Sequence, residues 1–341
     1  MIVPTTIDSP AVRVTEINDP ASADAGLELI DLDAVQLQSR PLRARRVLVH
    51  LGSASVLFQA SNQRLRTSTS VHQGLLGYAT FGPHARGTVN GVPVGPGMML
   101  AAAPQFAARF VVEPGWESIT FLLPPEEIAL HRRLRQWEGE LRLPQRVETL
   151  QANEALVCGL FDWGKRLVET AVEQPALFNA RETARAAAQA ELIDALLATL
   201  RQAKDRVPSR GDRTRWSRSG IVKRTEEYAL ARTGADLRVS DLCRVAGVSE
   251  RTLEYAFKEI MALTPVAYLT RLRLHRVRKA LLAATPGATT VSAQALNWGF
   301  WHFGEFARAY RKCFGELPSQ TLLRRPEAPE RRGWDANHRT P

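Results

Sequence analysis

The sequence predicts an α+β chain with a β-rich N-terminal part and an all-α C-terminal part. Short β-branched or alternating runs separated by turn residues fill residues 28–124, a pattern typical of a sandwich or barrel. Helical periodicity replaces this pattern from residue 125 onward, and near the end of the chain one phrase occurs twice. At 341 residues the chain is long enough for two domains with separate cores.

The repeated phrase consists of Val-Ser, six further residues, a glycine and an apolar residue. It begins at Val239 and again 52 positions later at Val291, so its glycines are Gly247 and Gly299. Each copy leads into an amphipathic stretch that carries aromatic residues, which predicts a helix, a glycine turn and a second helix. A helix-turn-helix places its second helix in the major groove of DNA, and two such units in one chain contact successive turns of the groove.

The charge of the chain is divided unevenly between its two parts. Residues 201–341 contain 27 Lys and Arg against 14 Asp and Glu, a net charge of +13, whereas residues 1–200 contain 18 against 21, a net charge of −3. The positive charge therefore coincides with the repeat. This asymmetry is expected when one domain binds a polyanion and the other does not.

The pattern divides the N-terminal 204 residues into a β-rich region, about 28–124, and a helical region, about 125–204. Asn90-Gly91 lies between two short apolar runs and predicts a tight hairpin, because both turn positions need a positive φ. In the helical region we expect a hairpin of two helices, about 144–172 and 179–200. These helices either cover the β-sheet or form the contact between two subunits, and the sequence leaves both alternatives open.

Three further segments complete the predicted organisation. Residues 205–220 are rich in Arg, Ser and Gly and predict a flexible basic linker. Residues 221–326 form the predicted DNA-binding domain, and residues 327–341 a disordered tail. Within the domain, Thr264-Pro265 predicts the start of a long helix that continues to about Leu282 and spans about 27 Å at ~1.5 Å per residue, enough to separate two recognition helices by about one turn of DNA.

Basic residues are concentrated in this long connecting helix, with Arg271, Arg273, Arg276, Arg278 and Lys279 among them. Contacts with DNA phosphates and ion pairs within the protein are both consistent with this pattern. The sequence therefore leaves the partners of these side chains open.

The candidate base-reading residues are those opposite the apolar stripes of the two second helices. One predicted stripe contains Leu253, Phe257 and Ile260; the other contains Phe303, Phe306 and Tyr310, with Trp298 and Phe300 in the core beside it. The candidate DNA-binding residues that remain outside are Arg251, Thr252, Glu254, Tyr255, Lys258, His302, Glu305, Arg308 and Lys312. Arginine pairs with guanine, glutamate accepts from cytosine, and tyrosine contacts thymine. Alternatively, these are ordinary solvated helix residues, and His302 is a helix cap.

The stretch from about Thr225 to Arg325 resembles the DNA-binding domain of AraC/XylS-type transcription regulators. The matching elements are Val248-Ser249-x-Arg251-x-Leu253-x3-Phe257, Thr264-Pro265-x2-Tyr268-x4-Arg273-Leu274, Gly299-Phe300-x5-Phe306-x3-Tyr310, and Phe314-Gly315-x2-Pro318-Ser319. The resemblance implies seven helices in two helix-turn-helix units, and base contacts at Arg251, Glu254, Tyr255, His302, Glu305 and Arg308. The sequence departs from the family at Trp301-His302-Phe303-Gly304, where Ser, Asp or Gln is more usual.

The same resemblance implies that the β-rich part is a cupin-like barrel that senses a ligand or forms dimers, with residues 88–102 as its best match. His50, His72 and His84 do not form the H-x-H cluster of metal-binding cupins, so we expect no metal. Two functions remain open for this part. It either holds a small-molecule effector in a cavity, or it serves only for dimerisation and contact with RNA polymerase.

An enzyme fused to a DNA-binding module is the rival class of function. The sequence contains no G-x-S-x-G, H-E-x-x-H or glycine-rich phosphate loop, so we expect neither catalytic residues nor cofactors. Cys158, Cys243 and Cys313 lie far apart and are expected to be reduced. The sequence shows no secretory signal and no membrane-spanning run, which predicts a cytoplasmic protein.

Together these observations predict a sequence-specific transcription regulator, most simply an activator controlled by a small-molecule effector. The predicted partners are double-stranded DNA, RNA polymerase and a second copy of the chain. The sequence leaves open the operator, the effector, the regulated genes, and direct or inverted half-sites. It also does not decide between activation and repression.

Overall fold

The computed structural model describes residues 10–136, 141–232, 238–285 and 287–324. Within these ranges the N-terminal part consists of an eight-stranded and a five-stranded sheet, both antiparallel. The larger sheet contains β1 (Val12–Ile17), β3 (Ala44–His50), β4 (Ser55–Ser61), β6 (Leu76–Phe81), β9 (Met98–Ala102), β11 (Trp116–Leu123), β12 (Val147–Gln151) and β13 (Lys204–Asp205). The smaller sheet contains β2 (Ile30–Gln36), β5 (Leu65–Val71), β7 (Gly87–Val89), β8 (Val92–Val94) and β10 (Ala108–Val112).

The order of the strands places β11, the longest strand of the larger sheet, near the middle of that sheet. In the larger sheet it is β1-β3-β4-β11-β6-β9-β12-β13, and in the smaller β2-β5-β10-β7-β8. Alternate residues of a strand point to opposite faces, and strand β3 shows the result. Val47 and Val49 belong to one core cluster, whereas Leu48 belongs to another.

Among the described residues, the helices are α1 (Pro125–Leu134), α2 (Glu154–Glu173), α3 (Pro175–Ala180), α4 (Glu182–Arg201), α5 (Arg210–Ala231), α6 (Val239–Ala246), α7 (Glu250–Met261), α8 (Pro265–Ala283), α9 (Val291–Asn297), α10 (Phe303–Phe314) and α11 (Pro318–Leu323). Helices α1 to α4 lie between strands β11 and β13, and the other helices follow β13. Helices α5 to α11 are the seven helices of the C-terminal part. The predicted fold class, a β-rich part with a helical hairpin followed by an all-α part, is confirmed.

Helices α2 and α4 cover the outer face of the larger sheet. Leu160 and Phe161 of α2 and Leu196 of α4 share one buried cluster with Val49 and Phe121 of the sheet. The two helices therefore cover the sheet, which is the first of the two alternatives that the sequence left open. The predicted first helix of this hairpin began near residue 144, but residues 147–151 form strand β12 instead, because they pair with β9 at the edge of the larger sheet.

The predicted flexible linker over residues 205–220 is not what the structure shows. Ser209 caps helix α5, which begins at Arg210 and continues to Ala231. The Ser209 side chain accepts from the backbone N–H of Asp212, and the Asp212 carboxylate accepts from that of Ser209. This reciprocal capping box stabilises the start of the helix, and Arg218 of the same helix pairs with Glu259 of α7.

The predicted hairpin at Asn90-Gly91 is confirmed, with φ values of 48° and 83°. It joins β7 to β8 and approaches helix α5 closely. A Cβ at Gly91 would lie 2.5 Å from the backbone oxygen of Arg215. The hairpin and the helix are therefore in backbone contact at a position that only glycine fits.

The β-rich part and the C-terminal helices share a core. Val35 and Val111 of the smaller sheet belong to the same buried cluster as Ile221 of α5, Phe257 of α7 and Leu272 of α8. The sheet is consequently in contact with the helices that form the first helix-turn-helix unit. The predicted tail, 327–341, lies outside the described residues.

Candidate nucleic-acid interface

The first helix-turn-helix unit consists of α6, a turn at Gly247 and α7. Gly247 adopts φ 66°, the left-handed conformation that ends α6. Ser249 then caps α7, its side chain accepting from the backbone N–H of Thr252. Leu253 and Phe257 of α7 are fully buried. These buried residues attach one side of α7 to the core and leave the other side at the surface.

The surface side of α7 carries all five residues that the sequence predicted there. Arg251, Thr252, Glu254, Tyr255 and Lys258 are exposed. The Arg251 guanidinium donates to the Tyr255 hydroxyl at 3.3 Å and lies 5.5 Å from the centre of its ring. The Thr252 hydroxyl lies 3.0 Å from the Ser249 hydroxyl. Arg251 and Tyr255 therefore form one exposed cluster of donors and aromatic surface.

The second unit consists of α9, a turn at Gly299 with φ 77°, and α10. Phe306 and Tyr310 of α10 are buried, with Trp298 and Phe300 packed beside them. The unit therefore repeats the arrangement of the first, with a glycine in the left-handed conformation between two short helices.

The outer side of α10 carries the remaining predicted residues. His302, Glu305, Arg308 and Lys312 are all exposed. His302 is the residue before α10, and its side chain makes no capping hydrogen bond, so the cap alternative for this histidine is not supported. Arg308 donates to the backbone oxygen of Gly304 at 3.3 Å.

The start of α10 differs from its predicted pattern. Phe303 was expected in the buried stripe, but it is 43% exposed, and the adjacent Trp301 is 60% exposed. The reason is that Phe300 occupies the neighbouring core position, with its ring centre 5.0 Å from that of Phe306. Sequence reasoning missed the exposure of Phe303 but not that of Trp301, and the departure from the family pattern at residues 301–304 indicated that the segment is unusual.

Helix α8, which connects the two units, is held by ion pairs to the β-rich part. Arg276 pairs with Asp33 at 2.9 Å, and Lys279 pairs with Asp24 at 2.6 Å. These contacts cross between the two parts of the chain. For these basic residues the structure favours intramolecular partners over DNA phosphates.

Two further basic residues of α8 contact the β-rich part. The guanidinium of Arg278 pairs with Asp19 at 2.7 Å, and Arg271 donates to the backbone oxygen of Gln36 at 3.2 Å. Between these two arginines lies His275, whose Nε2 accepts from the backbone N–H of Gln36 at 3.2 Å. The segment between β1 and β2, which carries Asp19, and strand β2 itself are thus attached to the middle of α8.

The end of α7 also contacts the β-rich part. Arg64, next to strand β5, donates to the backbone oxygens of Met261 at 2.9 Å and of Ile260 at 3.4 Å. A positive charge at the C-terminal end of a helix is favourable. The proposed first recognition helix is therefore held at its C-terminal end, while the side that carries Arg251 and Tyr255 stays exposed.

A cavity of about 110 Å³ lies between the two sheets. Its wall is mostly apolar, and the residues that contribute include Leu32, Leu65, Phe81 and Phe110. Arg46 is the buried basic residue of the same wall. Among the described residues, no group of three or more His, Cys, Asp or Glu is arranged to hold a metal ion. In the same ranges, no helix combines the length and the hydropathy needed to cross a bilayer.

With this geometry, the C-terminal part has the features of a helix-turn-helix protein that binds DNA. A family model described as a helix-turn-helix domain matches residues 242–324. A transcriptional activator of the XylDLEGF operon from Pseudomonas putida, number 2 of its series, is 33% identical over 112 residues, which cover 31% of this chain and 71% of that protein. The chain belongs to the AraC/XylS-type family of transcription regulators.

Two other comparisons concern the same region. A probable thc operon regulatory protein from Rhodococcus erythropolis is 38% identical over 103 residues, 30% of this chain and 31% of that protein. The chain thus matches about a third of the length of this relative. The crystal structure of a probable AraC family transcriptional regulator from Rhodopseudomonas palustris is 40% identical over 30% of this chain and 94% of that one, with a TM-score of 0.28.

Proposed function

We propose that this chain is a sequence-specific transcription activator whose two recognition helices, α7 and α10, read bases in successive major grooves. The observation that carries the proposal is that each of the two helices has one buried side and one exposed side. Leu253 and Phe306 are buried, whereas Arg251 and Arg308 are exposed on the opposite sides. A helix held in this way presents a fixed set of side chains to a groove.

The exposed side chains match distinct base edges. Arg251 and Arg308 offer paired donors to guanine, and Glu254 and Glu305 accept from cytosine. Tyr255 supplies an apolar edge to a thymine methyl group. Thr252 and His302 are further candidates beside these bases, and Lys258 and Lys312 neutralise phosphates.

The net charge of +13 in residues 201–341 supports this assignment, because a basic domain releases counterions when it binds DNA. Binding is therefore expected to weaken steeply with salt. We further propose that the chain acts in the cytoplasm as a homodimer, and that the bound dimer recruits RNA polymerase.

A small-molecule effector in the cavity between the sheets is part of the proposal. The cavity supports it because it is enclosed by both sheets and its wall is mostly apolar, as in many ligand sites. The second candidate is a regulator without a ligand, whose β-rich part only forms the dimer. In that case filling the cavity leaves regulation unchanged.

The test is recovery of sheared genomic DNA from the source organism by the purified full-length chain near physiological salt, followed by sequencing. Arg251→Ala and Arg308→Ala are compared with Arg181→Ala, an exposed arginine outside the proposed interface. We expect a few strongly enriched sites, each substitution at an interface arginine costing about 1–3 kcal/mol at particular base pairs. Uniform recovery that none of the substitutions changes would contradict base reading.

A further inference from the structure

Helix α5 lies outside the region that the helix-turn-helix family model matches. That match covers residues 242–324, whereas α5 begins at Arg210, directly after its cap at Ser209. The first half of α5 contacts α7 through two arginines, Arg215 and Arg218. The chain therefore places additional basic residues beside the first recognition helix, and these residues are not among the proposed base readers.

Both arginines pair with Glu259 of α7. Arg215 lies 3.5 Å from one oxygen of this carboxylate, and Arg218 pairs with the other oxygen. Glu259 follows Tyr255 by four residues and Arg251 by eight, a spacing that keeps residues close together along one side of a helix. The α5–α7 cluster, as we name Arg215, Arg218 and Glu259, therefore lies at the edge of the exposed side of α7.

The α5–α7 cluster is at the surface and has an excess of positive charge. The side chains of Arg215 and Arg218 are 43% and 36% exposed, and that of Glu259 is 28% exposed. Ion pairs with this exposure contribute little to stability. Because two guanidiniums share one carboxylate, the cluster can attract a further anion.

A line of exposed residues continues from the cluster toward the start of α5. Arg210 and Thr214 precede Arg218 by eight and four residues, so the three lie along one side of the helix. Arg210 and Thr214 are exposed, and the Thr214 hydroxyl donates to the backbone oxygen of Arg210 at 3.1 Å. This side of α5 is therefore polar and basic over about 12 Å, at ~1.5 Å per residue.

The position of the cluster matches the rim of a major groove. Helix α7 rises about 12 Å from Arg251 to Glu259. The major groove of B-DNA is about 12 Å wide and about 8.5 Å deep, and a recognition helix contacts base edges with its N-terminal residues. With Arg251 at the base edges, the Glu259 end of α7 lies at the rim of the groove, beside the phosphates.

We propose that Arg218 and Arg215 bind a DNA phosphate at the rim of the groove that α7 enters, and that Glu259 holds both side chains in position until the phosphate takes its place. This inference rests on the proposed DNA binding and adds a contact outside the matched domain. A guanidinium binds phosphate oxygens through two parallel hydrogen bonds. Phosphate contacts fix the position of a protein on the duplex without reading its sequence, so this contact contributes equally on any sequence.

The test measures binding of the full-length protein to a fluorescently labelled duplex of random sequence, by fluorescence anisotropy between about 50 and 200 mM salt. Arg218→Gln should weaken binding about tenfold at the lowest salt. It should also reduce the slope of the logarithm of the binding constant against the logarithm of the salt concentration by about 1. Arg218→Lys keeps the charge and should keep the slope. Arg213→Gln, on an exposed residue of α5 that donates to the backbone oxygen of Pro208, is the matched control and should leave the slope unchanged.

Glu259→Gln separates this role from a structural one. It breaks the same ion pairs as substitution of the arginines, but it removes a negative charge that lies beside the bound phosphate. We therefore expect it to strengthen binding to the random duplex about threefold, a gain that shrinks as salt screens the charge. If the ion pairs only hold α5 against α7, then Arg218→Gln and Glu259→Gln should both weaken binding.

Three results would overturn the inference. They are weaker binding by Glu259→Gln, an unchanged salt slope in Arg218→Gln, and an equal change of slope in Arg213→Gln. These measurements do not depend on base reading, because random DNA carries the same phosphates as a specific site. Failure of the proposed function is seen separately, as recovery of genomic DNA that is uniform for every variant.

Discussion

Arg66 and Glu226, 160 positions apart in the chain, form a buried ion pair that joins strand β5 to helix α5. Their side chains are 5% and 3% exposed. The Tyr268 hydroxyl donates to the same carboxylate at 3.2 Å, and Arg66 also pairs with Asp33 at 3.0 Å. Burial opposes the charge of Arg66, but Tyr268, Glu226 and Asp33 together raise its pKa above the ordinary value. The pair therefore connects the β-rich part to the first helix-turn-helix unit.

Removal of one member of this pair is expected to be costly. Glu226→Ala leaves the charge of Arg66 buried with less compensation, and we expect a loss of about 3 kcal/mol in the free energy of unfolding, measured by urea denaturation at pH 7. Glu227→Ala is the matched control, because Glu227 is 53% exposed and its ion pairs with Arg109 and Lys223 are at the surface. We expect it to cost less than about 1 kcal/mol. Equal losses at the two positions would show that the buried pair has no special role.

The contact between the β7–β8 hairpin and helix α5 is tested by two glycines that share a positive φ. An alanine at Gly247 would have no atom within 4 Å of its Cβ, whereas at Gly91 it would lie 2.5 Å from the backbone oxygen of Arg215. Gly247→Ala should cost about 1–2 kcal/mol from its backbone conformation. Gly91→Ala adds about 1–3 kcal/mol of overpacking and should accelerate hydrogen exchange in α5. If the two variants are equally stable, the hairpin does not press on the helix.

Much of the local structure was predictable because it depends on neighbouring residues. Thr264 caps α8, its side chain accepting from the backbone N–H of Ala267, and the Asn90-Gly91 hairpin and the glycine turns lie where the sequence predicts them. The linker over 205–220 was not predictable in this way. Its capping box, Ser209 with Asp212, is a local signal that the Arg-, Ser- and Gly-rich composition obscured. Its other support, Glu259, lies 41 positions from Arg218, and periodicity in the local sequence does not reveal that contact.

The site was predictable in its polar residues and less so in its aromatic ones. Each side chain predicted on the surface of α7 is exposed, because a buried stripe in the middle of a helix determines the opposite side. Phe303 belongs to the first turn of α10, and whether such a residue is buried depends on what else packs there. Phe300, which precedes α10, occupies the core position beside Phe306. The spacing of residues within α10 does not indicate that Phe303 is therefore left exposed.

His275 should make the stability of the protein depend on pH. Burial, followed by the charge of Arg271, lowers its pKa from 6.5 to about 3, although Asp19 acts in the opposite direction. The unfolded chain therefore binds a proton that the folded chain rejects, and stability falls as pH decreases below about 6.5. Between pH 8 and pH 5 this single group contributes a loss of about 2 kcal/mol.

The contribution of His275 is isolated by His275→Gln, which keeps an acceptor for the backbone N–H of Gln36 but does not titrate. The difference in unfolding free energy between the two proteins, measured by urea denaturation at several pH values, should shrink by about 2 kcal/mol from pH 8 to pH 5. His72→Gln is the control, because His72 lies at the surface with a 41% exposed side chain. A difference that stays constant with pH would mean that His275 binds its proton with the same pKa in the folded and in the unfolded chain.

The two phenylalanines of α10 should separate folding from DNA binding. Phe306 is 2% exposed, and Phe306→Ala is expected to cost about 3–5 kcal/mol of stability. Phe303 is 43% exposed, so Phe303→Ala should change stability by less than about 0.5 kcal/mol. It should instead weaken binding to an enriched genomic site, because an exposed phenylalanine at the start of a recognition helix fits the methyl group of thymine.

Deoxyuridine, which lacks that methyl group, identifies the contact. In fluorescence anisotropy, replacing the contacted thymine by deoxyuridine should weaken binding of the unmodified protein and have little further effect on Phe303→Ala, since both changes remove the same contact. Substitutions at thymines away from α10 are the control. Additive losses at every thymine would place Phe303 outside the groove and leave Arg308 and its polar neighbours as the readers of the second half-site.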